Sequence, residues 1–385
     1  MRAPTVLVVG AGIAGPTLAY CLPRNGFDVT VIERAQEQRS SGGPVDVRGR
    51  ALGVVERMGV LPRLRDAATL ATGLVLVDGR GEAIGRIPVQ VSADAVEIPR
   101  GDLAAILLDA GRDDVELVYG DSVVSLADDG HGVDVTFEHA GQRRFDLVIG
   151  ADGLHSGVRA LTFGPESRFV EHLGMYIATV TLDGPADDQR NVVMRSTPGR
   201  AVAVHPVTGR GAVAFIFREP SVPGLDRRDA AAHKRLVSAA YSGIGWRVPE
   251  LLERVRVAED LYFDSVSRVR LDNWSRGRVG LVGDAASCAT VFGGGSGMAI
   301  TGAATLAEAL GGLSADPAAA LRRYEQRQRK LIGWRRHTVG AVSHLLVPAT
   351  RGGLAARNAG FRVWPAIDAA RRAAGRPPGG RNGSA

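Results

Sequence analysis

The stretch Thr5-Val6-Leu7-Val8-Val9-Gly10-Ala11-Gly12-Ile13-Ala14-Gly15 decides the fold of this chain. Its apolar run predicts a buried strand, and three glycines spaced as G-x-G-x-x-G follow directly. A second apolar run, Val29–Ile32, ends at Glu33, 18 positions after Gly15. The order strand, glycine turn, helix, strand and acid is typical of a dinucleotide-binding unit in an α/β protein with a Rossmann-like parallel sheet.

Each glycine has its own physical role in such a unit. Gly10 permits the tight turn, Gly12 lets the backbone approach a pyrophosphate, and Gly15 lets the helix pack closely on the strand. The first helical turn offers unpaired N–H groups and the positive end of the helix dipole to the phosphates. Glu33 is placed to accept hydrogen bonds from ribose hydroxyls.

The composition is that of a globular protein with a large core. The 385 residues are 45% hydrophobic and 23% charged, and no apolar run approaches the length of a membrane-spanning helix. The first predicted strand begins at Thr5, which leaves no room for a signal peptide. The two cysteines, Cys21 and Cys288, are too few for a disulfide framework or a metal cluster. We therefore expect a cytoplasmic protein without a metal or a membrane partner.

The net charge of +6 comes almost entirely from arginine, because Lys234 and Lys330 are the only lysines. The one dense basic run, Arg322–Arg336, is interpreted as a solvated helix face, since no nucleic-acid-binding motif accompanies it. No nucleic-acid partner is expected.

Two later segments repeat the pattern of an apolar run that ends in a glycine and an acid. Phe145–Ile149 leads to Gly150-Ala151-Asp152-Gly153, and Val279–Val282 leads to Gly283-Asp284. Each segment alone is also explained by an aspartate that caps a helix. Three such strand ends together indicate one extended ligand. A nicotinamide cofactor needs only the first unit, whereas FAD is long enough to use all three.

A glycine-rich segment then opens a long predicted helix, Met298–Leu310. Gly293, Gly295 and Gly297 allow the backbone to lie flat against a flavin ring. The helix N-terminus would place a positive field at the pyrimidine edge of that ring, where reduced flavin is negative. Asp284 is placed to accept from ribityl hydroxyls or to order the pyrophosphate side.

The three motifs, in this order and spanning residues 5–310, resemble those of the single-component FAD-dependent aromatic hydroxylases, of which para-hydroxybenzoate hydroxylase is the type. The segments Gly42–Arg48 and Ile98–Leu103 give a nearer likeness to tetracycline-inactivating monooxygenases and antibiotic-tailoring hydroxylases. The chain departs from the family pattern between Ser287 and Phe292, where the family commonly has prolines.

The resemblance implies a role for each matching residue. Glu33 would hold the adenosine ribose and Arg34 would lie along the adenine. Asp46 and Arg48 would approach the flavin half, and Arg100 would contact the FAD chain. In the family the position of Asp152 is associated with both FAD and NADPH. Arg39 aligns loosely with an NADPH-linked arginine.

Short β-branched runs separated by Gly, Pro and Asp predict an antiparallel sheet inserted into the nucleotide domain. The expected organisation is an FAD-binding domain at 1–70, 99–167 and 271–315, a substrate-binding sheet at 71–98 and 168–270, a C-terminal helical segment at 316–371 and a disordered tail at 372–385. Ligands favour the carboxyl end of a parallel sheet, so we expect a cleft between that end and the inserted sheet.

Six residues of the inserted sheet are candidates for the lining of a substrate pocket: Met175, Met194, His205, Phe215, Phe217 and Tyr262. Strand alternation predicts that Phe215 and Phe217 share a face. Plain core is the simpler interpretation of most of these residues. His205 is a weak catalytic candidate that could orient or deprotonate a phenol, and a hydrogen-bonded structural histidine is the alternative.

These observations together predict a monomeric FAD-dependent monooxygenase that consumes NADPH or NADH and dioxygen. By resemblance, a flavin hydroperoxide would hydroxylate an aromatic or polyketide-like small molecule, in antibiotic biosynthesis or resistance. Two alternatives stay open. One is a flavin oxidoreductase with a Baeyer–Villiger or dehydrogenation outcome, and the other is a flavin- or drug-binding protein without turnover.

Overall fold

The computed structural model describes residues 2–38, 42–69, 71–88, 94–288, 294–311, 316–333 and 344–373, with side chains up to residue 363. The chain folds into two compact units. Unit 1 comprises Met1–Thr69, Ser92–Gly174 and Ser265–Gly340, and unit 2 comprises Leu70–Val91, Met175–Asp264 and Ala341–Ala385.

The strands of the described residues are, in chain order, β1 (Thr5–Val9), β2 (Asp28–Glu33), β3 (Pro44–Arg48), β4 (Gly73–Val77), β5 (Ala83–Pro88), β6 (Ala95–Pro99), β7 (Glu116–Tyr119), β8 (Val123–Asp128), β9 (Val133–Phe137), β10 (Gln142–Phe145), β11 (Leu147–Gly150), β12 (Val170–Thr181), β13 (Asn191–Thr197), β14 (Arg200–Val207), β15 (Arg210–Arg218), β16 (Tyr262–Val269), β17 (Ser275–Arg276) and β18 (Val279–Leu281).

The α-helices are α1 (Ala14–Cys21), α2 (Arg50–Arg57), α3 (Leu61–Asp66), α4 (Arg100–Asp109), α5 (Gly157–Phe163), α6 (Ala230–Tyr241), α7 (Val248–Val257), α8 (Asp284–Ser287), α9 (Gly294–Gly311), α10 (Pro317–Ile332) and α11 (Arg351–Ala373).

Unit 1 is built on a six-stranded sheet of order β17-β18-β11-β1-β2-β7. The strands from β18 to β7 run parallel, and only β17 pairs antiparallel with its neighbour. All five residues of β1 are buried, as are the four of β11. Such fully apolar strands are typical of a parallel sheet that is covered on both faces. The Rossmann-like fold predicted from the first motif is confirmed.

Helix α1 follows β1 and packs against α9. It ends at Cys21, and Pro23 begins a separate turn of 3₁₀ helix, Pro23–Asn25. Proline lacks a backbone N–H and clashes with the preceding turn, which accounts for the early end of the helix.

Two small sheets complete unit 1: the antiparallel β8–β9–β10 and the ribbon β3–β6. The ribbon differs from one expected boundary, because the sequence pattern places residues 95–98 in the inserted sheet. This segment instead pairs with Pro44–Arg48, and Val96 and Ile98 are buried in the core of unit 1.

Helix α10 also belongs to unit 1 rather than to a separate C-terminal segment. It packs against α9, and its Leu321 side chain lies against Gly280 of β18, where an added Cβ would meet it at 2.6 Å. The segment is therefore held by burial of its apolar side against the sheet. Of the expected disordered tail, residues 374–385 lie outside the described part of the chain.

Unit 2 is built on a seven-stranded sheet of order β16-β12-β15-β14-β13-β4-β5, of which only residues 170–174 of β12 and 265–269 of β16 are assigned to unit 1. The pairs β12–β15, β15–β14, β14–β13 and β4–β5 are antiparallel, whereas β13 and β4 run parallel. The predicted hairpin connection joins β14 to β15, with Gly209 at φ +73°. Helices α6 and α7 supply side chains to the apolar core on one face of this sheet.

Candidate active site

The carboxyl ends of four neighbouring strands of unit 1 form one edge, which we call the carboxyl edge: the residues that follow β2, β1, β11 and β18. At this edge, backbone hydrogen bonds also join the residues that directly follow the strands to the neighbouring strand. Gly10 N donates to Ile32 O at 2.7 Å, Ala151 N to Val9 O at 2.8 Å, and Val282 N to Gly150 O at 2.9 Å. All three predicted motifs therefore lie side by side at this edge.

The three glycines of the first motif meet different surroundings. Gly10 has φ +106°, and a Cβ there would lie 2.8 Å from Ala151 O. A Cβ on Gly15 would lie 1.9 Å from Gly10 O, so the helix could not approach the turn. At Gly12 an added Cβ would meet no atom of the described residues within 4 Å. Contacts within the protein explain Gly10 and Gly15, whereas Gly12 borders open space on the side where the motif predicts a pyrophosphate.

Glu33 ties the glycine turn to the end of β2. Its Oε2 accepts from Ala11 N at 2.9 Å and its Oε1 from Ala35 N at 3.0 Å. An ionised carboxylate has about four lone-pair sites, so it keeps capacity to accept from a ribose. Arg34 follows with an exposed side chain.

Asp152 follows β11 beside the glycine turn, and its Cα lies 2.9 Å from where a Cβ on Gly10 would be. Its Oδ2 accepts from Val158 N at 3.0 Å, which holds the turn against the start of α5. Burial raises the pKa of the carboxyl. The other oxygen, Oδ1, is buried and has no hydrogen-bond partner among the described residues. An acceptor of this kind fits a donor supplied by a ligand.

Arg159 has a fully buried side chain and connects two of the motifs. Its guanidinium donates to Leu154 O in the turn after Asp152 and to Ala285 O, 3.0 Å away, in the turn after Asp284. The sequence reasoning gave this residue no role. Its position shortly after the Asp152-Gly153 pair was the available signal.

Asp284 begins α8 directly after Gly283, which has φ +65°. A Cβ on Gly283 would lie 3.3 Å from Ala14 Cβ in α1 and 3.6 Å from Ala299 Cβ in α9. The half-buried Asp284 therefore stands where the glycine turn and the start of α9 come together. The sequence analysis inferred that these segments come together only because three separate motifs suggested one extended ligand.

The first turn of α9 contains Gly295 and Gly297, while Gly293 lies outside the described residues. A Cβ on Gly297 would lie 3.6 Å from Ala51 Cβ and 3.8 Å from the main-chain oxygen of Asp46. Strand β3 therefore lies beside the first turn of α9.

The polar residues near this ribbon already have partners. Arg48 Nη2 donates to Asp46 Oδ2 at 2.9 Å, and Glu97, opposite Asp46 on β6, accepts from Thr69 Oγ1. Burial raises the pKa of Glu97. Arg100 begins α4 with its side chain against Gly42. Arg39 lies outside the described residues.

The candidate substrate residues of unit 2 separate onto two faces of the sheet. Phe215 and Phe217 share a face, as predicted, but that face is the apolar core: both rings contact Tyr241 of α6 edge-on, at 5.0 and 5.9 Å between centroids. Met194 and His205 lie on the opposite face by strand alternation, as does Met175. Tyr262 Oη donates to Asp264 Oδ2 at 3.4 Å on β16. The six residues do not line one surface.

The sequence matches the protein family described as "FAD binding domain" over residues 3–336. The chain belongs to this family. A flavin-dependent monooxygenase of Legionella longbeachae is 31% identical over 340 residues, which cover 85% of each protein. An uncharacterized protein of Mycobacterium tuberculosis is 40% identical over 79% of this chain and 84% of its own length.

Solved structures give the same result. The tetracycline destructase Tet(51) superposes with a TM-score of 0.83 at 29% identity, over 95% of this chain and 97% of that one. Klebsiella pneumoniae HpxO, in complex with FAD and uric acid, superposes with a TM-score of 0.74 at 22% identity, over 95% of both chains, and supports the fold alone.

The resemblance stated from the motifs is therefore confirmed, together with the FAD-binding fold and the assignment to the flavin-dependent monooxygenases. The residues of the carboxyl edge fit FAD: Gly12 borders open space, Asp152 Oδ1 lacks a partner among the described residues, and Asp284 directly follows Gly283, which lies against Ala14 of α1 and Ala299 of α9. Among the described residues, no helix is long and apolar enough to cross a bilayer.

Proposed function

We propose that this protein is an FAD-dependent, NAD(P)H-consuming monooxygenase that hydroxylates an aromatic or polyketide-like small molecule. The observation that supports it most directly is the convergence of the glycine turn, the Asp152 turn and the Asp284 turn at one edge of the sheet of unit 1. When bound, FAD accepts electrons from NAD(P)H and activates dioxygen for transfer of one oxygen atom.

The chain's own residues would hold the cofactor along this edge. The open side of Gly12 and the N-terminus of α1 would take the pyrophosphate, since backbone N–H groups and the helix dipole favour negative charge there. Glu33 would accept from the adenosine ribose, with Arg34 at the adenine. Asp284 would accept from the ribityl hydroxyls.

The helix α9 would contribute electrostatically. Its 18 residues, Gly294–Gly311, begin with a glycine-rich first turn, and an aligned helix presents a partial positive charge at its N-terminus. Fixed dipoles of this kind stabilise negative charge that develops during reaction without having to reorganise. Asp46, Arg48 and Arg100 would complete the surroundings of the cofactor's flavin half and chain.

Beside the FAD motifs, we recognise no separate glycine-rich motif in the sequence for a nicotinamide cofactor. We therefore propose that NADPH or NADH binds transiently. Asp152, the family position associated with both cofactors, is the residue we assign to this step. The similarity to the tetracycline destructases makes a polyketide with several rings the first substrate to try.

The experiment is turnover of the FAD-loaded protein with NADPH or NADH and a panel of tetracyclines, other polyketides and simple phenols, analysed by mass spectrometry. We expect one compound to accelerate NAD(P)H oxidation and to yield a product heavier by one oxygen atom. A ring-expanded lactone, which has the same mass as the hydroxylated product and is distinguished from it by NMR, would identify Baeyer–Villiger insertion, and a product lighter by two hydrogens would identify dehydrogenation. Binding without NAD(P)H oxidation across the panel would identify a protein without turnover.

A further inference from the structure

The beginning of α9 receives two hydrogen bonds that a regular helix does not require. Thr301 Oγ1 donates to Gly297 O at 2.7 Å. Gln328 Nε2, on α10, donates to Met298 O at 3.3 Å. In an α-helix each of these carbonyl groups already accepts from the N–H four residues further on. Two consecutive carbonyl groups near the N-terminus therefore each have a second donor, which a side chain supplies.

Both donors are buried within unit 1. Thr301 is 9% exposed and Gln328 is 3% exposed. A threonine hydroxyl that bonds the carbonyl group one turn back is a common feature of helices. A glutamine buried between two helices is not, because burial of an amide lowers stability unless both of its ends are paired. The glutamine therefore needs an explanation.

The amide of Gln328 is satisfied at one end only. Its Oε1 is buried and has no hydrogen-bond partner among the described residues. Helix α9 leaves room for the amide at Gly302, where an added Cβ would lie 3.2 Å from Nε2. Tyr324 and Ile332 of α10 belong to the apolar core. An apolar side chain in place of Gln328 would avoid the unpaired oxygen, so the bond donated to α9 is what distinguishes glutamine at this position.

The hydrogen bond from Thr301 is connected through the backbone to the tip of α9. Gly297 O and Met298 N–H belong to one peptide group, and Met298 N–H donates to Gly294 O in the helical pattern. Gly294 O shares its peptide group with Gly295 N–H. This N–H is one of the first four of the helix, which have no acceptor within the helix.

The hydrogen bond from Gln328 follows the neighbouring column of the helix. Met298 O shares its peptide group with Ala299 N–H, which donates to Gly295 O. Gly295 O in turn shares its peptide group with Ser296 N–H, which also has no acceptor within the helix. The two side chains are therefore connected to two adjacent N–H groups, those of Gly295 and Ser296, which we call the tip donors.

Hydrogen bonds in such a series strengthen one another. A donor at a carbonyl group polarises the peptide group and makes its N–H a better donor, by about 10–30% per bond. The partial positive charge at the helix N-terminus rises with this polarisation. Thr301 and Gln328 therefore make the tip donors stronger toward an acceptor outside the helix.

Stronger tip donors act differently on the two oxidation states of a flavin. Uptake of two electrons and one proton leaves one negative charge on the ring, whereas the oxidised ring is neutral. Preorganised donors stabilise the charged state more than the neutral one. The bonds from Thr301 and Gln328 should therefore favour reduced FAD over oxidised FAD.

We propose that Thr301 and Gln328 are positioning residues that raise the reduction potential of bound FAD by strengthening the tip donors. This inference rests on the proposed function, which places the flavin half at the start of α9, and deepens it by naming side chains that set the potential. Both residues act through the backbone of α9, and no proton transfer is assigned to either.

The test is the midpoint potential of the FAD-loaded protein, measured by anaerobic reduction with dithionite against reference dyes, without substrate or NAD(P)H. Thr301→Val and Gln328→Met keep the approximate size of the side chain and remove the donor. We expect each variant to lower the ratio of reduced to oxidised FAD affinity about two- to tenfold. For a two-electron couple this is a fall of about 9–30 mV, at about 30 mV for each factor of ten.

Two matched controls separate this effect from helix packing. Thr305→Val removes the same kind of hydrogen bond, which Thr305 Oγ1 donates to Thr301 O at 2.8 Å, one turn farther from the N-terminus. Gln326→Met makes the same exchange at an exposed position of α10. Both controls should change the affinity ratio less than twofold, because the field of a helix end falls off within its first turn.

A purely structural role would give a different pattern. Lower stability in urea unfolding with an unchanged potential, in either Thr301→Val or Gln328→Met, would overturn the inference. Equal shifts in the two controls, or a rise of the potential, would overturn it as well. The proposed function fails separately: if the potential responds as expected but no compound of the panel is turned over, the monooxygenase assignment is lost and this inference is kept.

Discussion

At the scale of the residue, three glycines of one motif are required for three reasons. Gly10 needs a positive φ, and Gly15 needs the space that a Cβ would take from Gly10 O. Gly12 has neither requirement, because no atom in the described part of the chain would lie within 4 Å of a Cβ added there. Contacts within the protein explain two of the glycines, and we propose that the third is explained by a bound ligand.

This difference predicts opposite results for two matched variants. Gly15→Ala forces the helix from the turn and is expected to cost about 1–3 kcal/mol in the free energy of unfolding of the apoprotein. Gly12→Ala should leave that free energy within about 0.5 kcal/mol and weaken FAD binding instead. Urea unfolding of the apoproteins and FAD titration measure the two quantities. Equal stability losses for both variants would contradict the assignment of Gly12 to the ligand.

Asp284 provides the second prediction at this scale. Asp284→Ala removes a charged acceptor from the point where α1 and α9 meet, so FAD affinity should fall about 10- to 100-fold, the equivalent of one hydrogen bond to a charged group. Circular dichroism should show an unchanged fold. Asp113→Ala, at an exposed 3₁₀ turn, is the control and should retain FAD fully. Full flavin occupancy in the Asp284 variant would refute its role.

At the scale of the element, α10 braces the segment that leads to β18 and so to Asp284. Glu325, 9% exposed, accepts from Trp274 N at 2.9 Å and pairs with Arg329 at 2.7 Å. Arg329 in turn donates to Leu271 O and Asp272 O at 2.8 Å. One buried carboxylate on the helix therefore holds a loop of the nucleotide-binding unit.

Glu325→Ala should be strongly destabilising. The change leaves the N–H of Trp274 without its acceptor and Arg329 without its carboxylate, and we expect a loss of about 2–4 kcal/mol in the free energy of unfolding. Glu253→Ala on α7 breaks an exposed pair with Arg256 and should cost less than about 0.5 kcal/mol. Chemical denaturation compares the two, and similar small losses would show that α10 is held by apolar packing alone.

Strand β14 buries the imidazole of His205, and this burial makes the free energy of unfolding depend on pH. Because the pKa of His205 falls from 6.5 to about 4 on folding, the unfolded chain binds a proton between pH 6.5 and pH 4 that the folded chain does not. The stability that depends on a neutral His205 is fully present above pH 6.5 and is lost as the pH falls from 6.5 toward about 4. From pH 7.5 to pH 4.5, wild type should lose about 2–3 kcal/mol more than His205→Gln. Urea unfolding measures both proteins, and equal losses in wild type and His205→Gln would contradict the prediction.

At the scale of the whole molecule, the chain divides its tasks between two units, each with its own sheet and core. All the described candidate cofactor residues lie in unit 1. A ligand that binds only the folded form stabilises it, by about 2.7 kcal/mol at one hundred times Kd. That stabilisation should appear first in the unit that makes the contacts.

Hydrogen exchange of the apoprotein with and without FAD tests this division. We expect amides of β1, β11 and β18 to gain protection, together with a higher melting temperature. Riboflavin, which lacks the pyrophosphate and adenosine, is the control and should protect these strands far less. Equal protection by riboflavin would show that the glycine turn does not contribute to binding.

Much of the candidate cofactor site was predictable from the sequence because the signals of its turns are local. A glycine turn between a buried strand and a helix is recognisable from about ten consecutive residues, and the same holds for the Asp152 and Asp284 turns. Their meeting could be expected as well, since the carboxyl ends of parallel strands share one edge of a sheet.

Other features depend on partners distant in the chain. Alternation predicted that Phe215 and Phe217 share a face, but only the packing of α6 and α7 decides that this face is core. The pairing of Ala95–Pro99 with Pro44–Arg48, about fifty residues away, placed the former in unit 1. No sequence signal shows that the Thr179 hydroxyl is buried without a hydrogen-bond partner among the described residues. Local chemistry specifies turns and strands, whereas which surfaces are covered depends on non-local packing that a short pattern does not encode.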